Sequence, residues 1–226
     1  PDKRSLFVTV GSNSNAGECG PDVEQDRAAI HRLDVETGKL ELFAHGLRNP
    51  VGLAVEPSTG TLWTVVNERD ELGSDLVPDY ATSVREGDFF GWPYTYYGAH
   101  PQPKLDSRWP DDHPPARSPD YAVGSHTASL DIEFSYNSAL PAKWRNGLFV
   151  SQHGSWNRQP RAGYRVIYIP FTSGAPNGMP EEIVGGFLDA DGNARGRPAG
   201  LAIDSTGALL IADDVGDVIW RVKMHD

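Results

Sequence analysis

The sequence repeats one short segment near its beginning and near its end. Residues 49–55 (Asn-Pro-Val-Gly-Leu-Ala-Val) recur as residues 197–203 (Arg-Pro-Ala-Gly-Leu-Ala-Ile), and each copy is followed by a Ser-Thr-Gly turn and a second apolar run. Weaker copies occur at 1–8, 130–134 and 146–150. A propeller blade of four strands takes roughly 40 to 50 residues, so the chain has room for about four blades. A sandwich or open barrel with two similar hairpins is the alternative.

The rest of the pattern is that of an all-β protein. Short β-branched or aromatic runs are bounded by Gly, Pro, Asn or Asp along the whole chain. Its 24 glycines and 18 prolines interrupt nearly every window long enough for a helix. We therefore predict an all-β fold, a β-propeller that forms a single domain over residues 1–226.

Composition and charge exclude several classes of partner. Acidic residues outnumber basic ones 31 to 20, and the formal net charge of -11 repels the phosphate backbone of nucleic acids. The sequence has no run of about 18 apolar residues and no basic-then-apolar leader, so we expect neither a membrane span nor a signal peptide in it. The only cysteine, Cys19, excludes an internal disulfide and a cysteine-based zinc cluster.

A long segment between two strand patterns differs in composition. Residues 76–126 contain few apolar runs, and seven prolines lie between Pro93 and Pro119. Such a length exceeds an ordinary connection in a compact domain. We predict an insertion at a blade edge, at about 76–126, with a role in binding or in oligomer contacts as the two alternatives.

Basic and amide side chains stand directly before both copies of the repeat. Arg48 and Asn49 precede the first copy, and Arg195 and Arg197 precede or begin the second. A guanidinium offers a planar fork of donors to oxyanions or quinone oxygens. In an extended segment, Arg195 and Arg197 face the same way and suit a polycarboxylate. For each arginine, a simple ion pair with an acidic neighbour is the alternative.

An acidic turn follows the strand after the first copy. Residues 67–75 (Asn-Glu-Arg-Asp-Glu-Leu-Gly-Ser-Asp) contain four acids. A hard cation such as calcium takes six to eight oxygen ligands, and a turn of this kind supplies several. The spacing is not that of an EF-hand loop, and a solvated acidic turn is the alternative, which the residues alone favour slightly.

Three further groups have simpler interpretations. The aromatic run at 87–94 is typical of hydrophobic packing, and residues 213–217 are typical of a solvated hairpin loop. Polar residues 151–158 (Ser-Gln-His-Gly-Ser-Trp-Asn-Arg) follow a strand end, but they lack the Gly-x-Ser-x-Gly elbow of a hydrolase. The seven histidines show no zinc-ligand spacing.

Five of these motifs, taken in order, resemble one family. They are 46–54 (Gly-Leu-Arg-Asn-Pro-Val-Gly-Leu-Ala), the turn at 67–75, 90–93 (Phe-Gly-Trp-Pro), 153–158 (His-Gly-Ser-Trp-Asn-Arg) and 195–202 (Arg-Gly-Arg-Pro-Ala-Gly-Leu-Ala). The same series is found in the glucose/sorbosone dehydrogenase-type quinoproteins, and its wording is most similar to the L-sorbosone dehydrogenase-like branch. The resemblance extends from residue 5 to residue 222.

The resemblance implies a six-bladed propeller that carries pyrroloquinoline quinone (PQQ) and calcium and oxidises a sugar or aldehyde. Hydride passes to the quinone while a histidine takes the hydroxyl proton. It also implies site residues in this sequence, but it does not specify the electron acceptor. Arg48 is the catalytic candidate; Arg48, Asn49, His153, Arg195 and Arg197 are the cofactor-binding candidates; and Glu68, Arg69 and Asp75 are the metal-site candidates, with backbone carbonyls at 67–69 as cofactor-calcium ligands.

The sequence also departs from the family pattern. In the family the general-base histidine stands shortly before the segment that matches Pro1 and Asp2, so we expect that base, and further blades, upstream of Pro1. Two alternative functions stay open: a calcium-dependent lactonase on a similar propeller, and a non-catalytic propeller that binds carbohydrate or protein. Localisation in the periplasm or outside the cell is implied by the resemblance alone.

Overall fold

Short runs of β-branched and aromatic residues form the strands of this protein. The computed structural model describes residues 4–103, 105 and 114–224, which contain 17 strands and three short 3₁₀ helices. The helices are Pro21–Glu24, Ser135–Asn137 and Ala142–Trp144. The strands are β1 (Ser5–Val10), β2 (Ala29–Asp34), β3 (Leu40–His45), β4 (Pro50–Val55), β5 (Leu62–Val66), β6 (Pro78–Val84), β7 (Thr95–Tyr96), β8 (His100–Pro101), β9 (Tyr121–Ser125), β10 (Ser129–Phe134), β11 (Gly147–Gln152), β12 (Arg165–Thr172), β13 (Ala175–Pro176), β14 (Glu181–Val184), β15 (Pro198–Ile203), β16 (Leu209–Asp213) and β17 (Val218–Val222).

The strands pair with their sequence neighbours in antiparallel sheets. The orders are β1-β2-β3, then β4-β5-β6-β9, then β10-β11-β12 with β13 and β14 both on β12, and finally β15-β16-β17. Strands β7 and β8 form a separate pair. The predicted all-β fold is confirmed. The prediction of four strands per sheet holds for the second sheet, whereas the other three have three or five strands among the described residues.

The first strands of the second, third and fourth sheets share one irregularity. In β4, the register shifts between Pro50 and Leu53, and in β15 it shifts between Pro198 and Leu201. Strand β10 has the same shift near its start and contacts both β4 and β15. Gly52 and Gly200 lie inside these shifts, so they occupy equivalent positions, as the repeat predicted.

The apolar core lies between successive sheets. One cluster joins the first and second sheets through Ile30 and Tyr80, and another joins the second and third through Trp63 and Ile169. A third joins the third and fourth sheets through Phe149 and other buried side chains. Meander sheets that bury their faces against the next sheet are the packing expected of radially arranged blades.

The segment predicted as an insertion belongs partly to the second sheet. Strands β6 and β9 lie at its two ends, so the part that leaves the sheet spans 85–120. The pattern missed β6 because it buries the polar residues Thr82 and Ser83, whose hydroxyls bond Asp120. The aromatic run packs as predicted, with Phe90 stacked 6.4 Å from Tyr80. Residues 104 and 106–113 of the predicted insertion lie outside the described residues, as do 1–3.

Helical segments of this chain are short. Within the residues that the structure describes, no helix has the length and apolar character needed to cross a membrane.

Candidate functional site

The candidate residues lie at one edge of the sheets. Because paired strands are antiparallel, the start of each first strand lies beside the end of its partner: Pro50 is opposite Val66, and Pro198 is opposite Asp213. The same holds for Ser129 of β10 and Gln152 of β11. Loops before β4, β10 and β15 therefore meet the loops after β5, β11 and β16.

A cavity of ≈ 230 Å³ opens at this edge. Its walls are mainly polar, and they come from the first three sheets and from the loops at their edge. The lining residues are Asn15, Arg48, Asn49, Asn67, Glu68, Asp70, Asp79, His126, Ala128, Ser155, Trp156 and Asn157.

Arg48 lies in the wall of the cavity with 8% of its surface exposed. Its Nη2 donates to Oδ1 of Asn15 at 2.7 Å and lies 3.8 Å from Oδ2 of Asp70. Its Nη1 lies 3.4 Å from the carbonyl oxygen of Asn67. Among the described residues, Nε of Arg48 is buried and has no hydrogen-bond partner. The ion pair that the sequence left as an alternative is therefore present, yet it leaves one buried donor unused.

Asn49 is held against the loop that follows β1. A Cβ atom on Gly11 would fall 2.1 Å from Oδ1 of Asn49, so only glycine allows this approach. Asn49 also lines the cavity beside Arg48. The predicted Arg-Asn pair is thus brought together in one wall.

Two buried carboxyl groups lie at the inner end of the acidic turn, Glu68 in the turn itself and Asp79 in β6. Glu68 accepts hydrogen bonds from the backbone N–H groups of Arg69 and Tyr97 at 2.8 and 3.0 Å. Asp79 accepts one from the backbone N–H of Glu68 at 2.9 Å and others from Thr127 and Ala128. Burial raises the pKa of Glu68 to about 6 and the pKa of Asp79 to about 6. The Glu68 side chain therefore holds the turn and the insertion together.

The three predicted metal-site residues point to different surroundings. The guanidinium of Arg69 is buried, and burial lowers its pKa; it donates to the carbonyl oxygen of Asp70 and to Gln102. The side chain of Asp75 is 91% exposed and pairs with Arg158 at 3.1 Å. Within the described part of the chain, no three His, Cys, Asp or Glu residues are grouped to hold a metal. The predicted side-chain carboxylates of the turn thus do not converge on one point. The backbone carbonyl oxygens of the turn remain as candidate calcium ligands.

His126 and Asp70 form a pair that the sequence analysis did not single out. Nε2 of His126 lies 2.9 Å from the carbonyl oxygen of Gly73 and 2.8 Å from that of Leu76, while Nδ1 lies 3.5 Å from Oδ1 of Asp70. Both ring nitrogens face acceptors, so the imidazolium form fits, and the hydrogen bond to Asp70 raises the pKa of His126. The sequence signal that could have indicated His126 is its position just before β10. That position lies at the same edge of the sheets where His153 follows β11.

A separate cluster of polar side chains surrounds Arg197. Its Nη1 lies 3.3 Å from Nδ1 of His153, and its Nη2 donates to the hydroxyl of Tyr164 at 3.0 Å. The guanidinium also lies 5.0 Å from the centre of the Tyr164 ring. Nε2 of His153 contacts Asp214 at 2.9 Å. The structure thus brings two predicted residues, His153 and Arg197, into direct contact, and Tyr164 and Asp214 hold them from either side.

The contacts of Arg195 differ from those of Arg197. It is exposed. Hydrogen bonds from the backbone of Asn193 and, to a smaller extent, the charge of Arg195 lower the pKa of Asp189. The convergence of Arg195 with Arg197 stays a prediction.

The serines near His153 have structural roles. Ser151 bonds the backbone of Ala199 and Asp131, and the hydroxyl of Ser155 accepts a hydrogen bond from the backbone N–H of Ala162. His153 bonds Asp214 and Arg197. None of these contacts pairs a serine with His153, as a hydrolase triad requires.

Comparison with known proteins supplies a family match. The family model described as TrAA12-like matches residues 1–88 and 77–225. An uncharacterised protein of Borreliella burgdorferi is 29% identical over 225 residues, which cover 96% of this chain and 56% of that protein. A pyrroloquinoline quinone-dependent pyranose dehydrogenase of Coprinopsis cinerea is 26% identical over 160 residues, covering 57% of this chain and 21% of the relative.

Solved structures share the fold. The calcium structure of the Trichoderma reesei carbohydrate-active enzyme of family AA12 superposes with a TM-score of 0.76 at 20% identity, over 96% of this chain and 64% of that one. The holo form of the PQQ domain of Coprinopsis cinerea pyranose dehydrogenase gives a TM-score of 0.72 at 21% identity, over 96% and 66%. These matches assign the sheets to the propeller type of the PQQ dehydrogenases. This chain spans less than two thirds of the length of each protein compared here.

Proposed function

The chain belongs to the TrAA12-like family, and from this premise we propose that the protein is a PQQ- and calcium-dependent dehydrogenase that oxidises a sugar or sugar aldehyde by hydride transfer to the quinone. One observation carries the proposal: Arg48 sits in a polar cavity with a buried Nε donor that no described residue satisfies. An oxygen-rich ligand in this cavity would lie against an arginine that still has an unused donor. The relationship to a PQQ-dependent pyranose dehydrogenase supports the choice of ligand.

The residues present fit an anionic quinone. When bound, PQQ supplies a quinone that accepts two electrons and a proton as hydride. Arg48 and Asn49 would donate to the quinone oxygens, and a fixed guanidinium favours the negative charge that develops there on reduction. Arg197, held by His153 and Tyr164, would bind a cofactor carboxylate, and Arg195 would add a second donor.

Calcium would be held by the backbone of the acidic turn. The carboxyl oxygens of Glu68 accept backbone hydrogen bonds, and Asp75 pairs with Arg158, so we assign the role of ligand to the carbonyls at 67–69. Asp75 would belong to a separate calcium site at the surface. Calcium takes both carbonyl and water oxygens, which suits a site poor in carboxylates.

The narrower features of the proposal rest on the sequence motifs. The wording of the five motifs favours the L-sorbosone dehydrogenase-like branch, and the family favours a periplasmic or secreted location. The partner is a small sugar or aldehyde, and the acidic net charge of -11 disfavours nucleic acid.

The proposal is tested by cofactor binding in the full natural protein. Addition of PQQ with calcium should give saturable binding by titration calorimetry and sugar-dependent reduction of an artificial electron acceptor. Arg48→Ala should reduce turnover, whereas Arg221→Ala, whose side chain pairs with Asp204 in the turn after β15, should leave both readouts unchanged. Failure to bind PQQ would reject the dehydrogenase, and calcium-dependent lactone hydrolysis without quinone binding would favour the lactonase.

A further inference from the structure

Trp156 is exposed at the rim of the cavity. Its relative exposure is 75%, whereas Trp63 and Trp92 are 2% and 3% exposed. The residue lies in the loop after β11 and lines the cavity together with Ser155 and Asn157. An exposed indole at the rim of a polar cavity offers a ligand one large, flat apolar face.

Hydrogen bonds on both sides of Trp156 hold its backbone in place. On one side, the backbone N–H of Ser155 donates to Ala162 O at 2.9 Å, and the hydroxyl of Tyr164 donates to Ser155 O at 2.7 Å. On the other, Nδ2 of Asn157 donates to Oδ1 of Asp70 at 2.8 Å. Arg158 adds a bond from Nε to Ser74 O at 2.8 Å. The backbone that carries Trp156 is therefore anchored to the cavity wall.

We propose that Trp156 is the stacking platform for the ring of a pyranose substrate, an inference that rests on the function proposed above. A pyranose presents a face of C–H groups, which are weakly positive and apolar, and a rim of hydroxyls. The face matches the negative π-surface of an indole. The hydroxyls match amide and carboxylate groups that line the same cavity as Trp156, namely Asn15, Asp70 and Asn157.

The test compares Trp156→Ala and Trp156→Phe with Met179→Ala, a matched loss of an exposed apolar side chain that is 83% exposed. In the full natural protein with PQQ and calcium, Trp156→Ala should raise KM for D-glucose, D-galactose or D-mannose about tenfold, equivalent to ~1.4 kcal/mol. Turnover number, PQQ affinity and thermal midpoint should change little. Trp156→Phe should raise KM only about threefold because a smaller ring still stacks.

A second readout does not depend on turnover. In PQQ-free protein, the same sugars should change the indole emission saturably, and Trp156→Ala should remove most of that change, whereas Met179→Ala should keep it. A failed dehydrogenase assay leaves this difference intact, so the two proposals fail separately. An unchanged KM in Trp156→Ala, no sugar-dependent emission change in the natural protein, or a loss of PQQ affinity in place of sugar affinity would each overturn the platform.

Discussion

Gly52 of β4 lies so close to β10 that a Cβ atom on it would fall 2.6 Å from the Cα of Asp131. The same aspartate reaches the other neighbouring strand, because its Oδ2 accepts the backbone N–H of Leu201 of β15 at 2.8 Å. Burial raises the pKa of Asp131. Asp131 of the third sheet thus contacts the first strands of the second and fourth sheets.

Replacement of Gly52 by alanine should destabilise the fold. The added methyl group would overlap backbone atoms of Asp131 and Ile132, which cannot move without shifting β10. Overpacking of this kind costs about 1 to 3 kcal/mol or more. Chemical denaturation of Gly52→Ala should show the loss.

Gly200 provides a matched control for this prediction. It occupies the equivalent position on β15, but a Cβ atom there would lie 3.6 Å from Cβ of Ala212, an ordinary contact. Gly200→Ala should therefore stay within about 0.5 kcal/mol of the natural protein or stabilise it slightly. Equal losses for the two variants would contradict the close approach of β4 and β10.

Glu56 should contribute stability that disappears in acid. The side chain is buried in the turn between β4 and β5. Burial alone would raise its pKa, but hydrogen bonds from Thr59, Tyr136 and Ser58 outweigh it and lower the pKa to about 2. Because the folded pKa lies below the unfolded one, the stabilisation is present above about pH 5 and is lost as the pH falls toward 2. Its size should be on the order of 2 kcal/mol, with allowance for solvent screening.

The measurement is the free energy of unfolding of Glu56→Gln against that of the natural protein between pH 7 and pH 2. The two curves should differ most at neutral pH and converge in acid. The exposed Glu36, replaced by Gln, serves as the control and should run parallel to the natural protein. A constant offset between the Glu56→Gln and natural curves would contradict the assignment.

The repeat allowed much of this architecture to be predicted. It placed Gly52 and Gly200 at equivalent positions, and it placed Arg48 and Arg197 at the same edge of the sheets. The pattern could not show what satisfies buried polar groups far apart in sequence. Asp79, for example, bonds Thr127 and Ala128, which lie on the other side of the insertion.

Tertiary contacts also decided which members of the acidic turn face the cavity. Composition treats the acids of residues 67–75 alike, yet Glu68 is buried, Asp70 is half-buried beside His126, and Asp75 is exposed. The difference comes from Tyr97 and Arg158, which approach from the insertion and from the loop after β11. No local pattern in residues 67–75 encodes those approaches.

If the turn is a metal site, removal of calcium should lower both the thermal stability of the protein and its affinity for PQQ. A ligand present at a hundredfold excess over its dissociation constant stabilises the fold by about 2.7 kcal/mol. Chelation with EGTA should therefore lower the thermal midpoint and weaken PQQ binding, and added calcium should restore both. If neither value responds, residues 67–75 form a solvated loop only.

Arg197 should contribute more to cofactor affinity than Arg195 does. Arg197 is held by His153 and Tyr164, whereas Arg195 is exposed. A hydrogen bond to a charged group contributes about 1.5 to 3 kcal/mol, so Arg197→Ala should weaken PQQ binding roughly ten- to a hundredfold. Arg197→Lys should recover only part of the affinity because an ammonium lacks the planar fork. Calorimetric titration with PQQ gives the values, and parent-like affinity in Arg195→Ala and Arg197→Ala alike would falsify the binding of the cofactor carboxylates by these two arginines.

Arg48 should differ from Arg197 in the quantity that it controls. If its guanidinium acts on charge that develops at the quinone oxygens, the interaction is strongest in the transition state, and its loss lowers turnover more than binding. Arg48→Ala should therefore reduce kcat by at least about a hundredfold, as for loss of a donor to a developing oxyanion, while the Kd for PQQ rises less than tenfold. Steady-state kinetics and titration of the same variant give both numbers. A Kd that rises as much as kcat falls would make Arg48 a binding residue only, equivalent in role to Arg197.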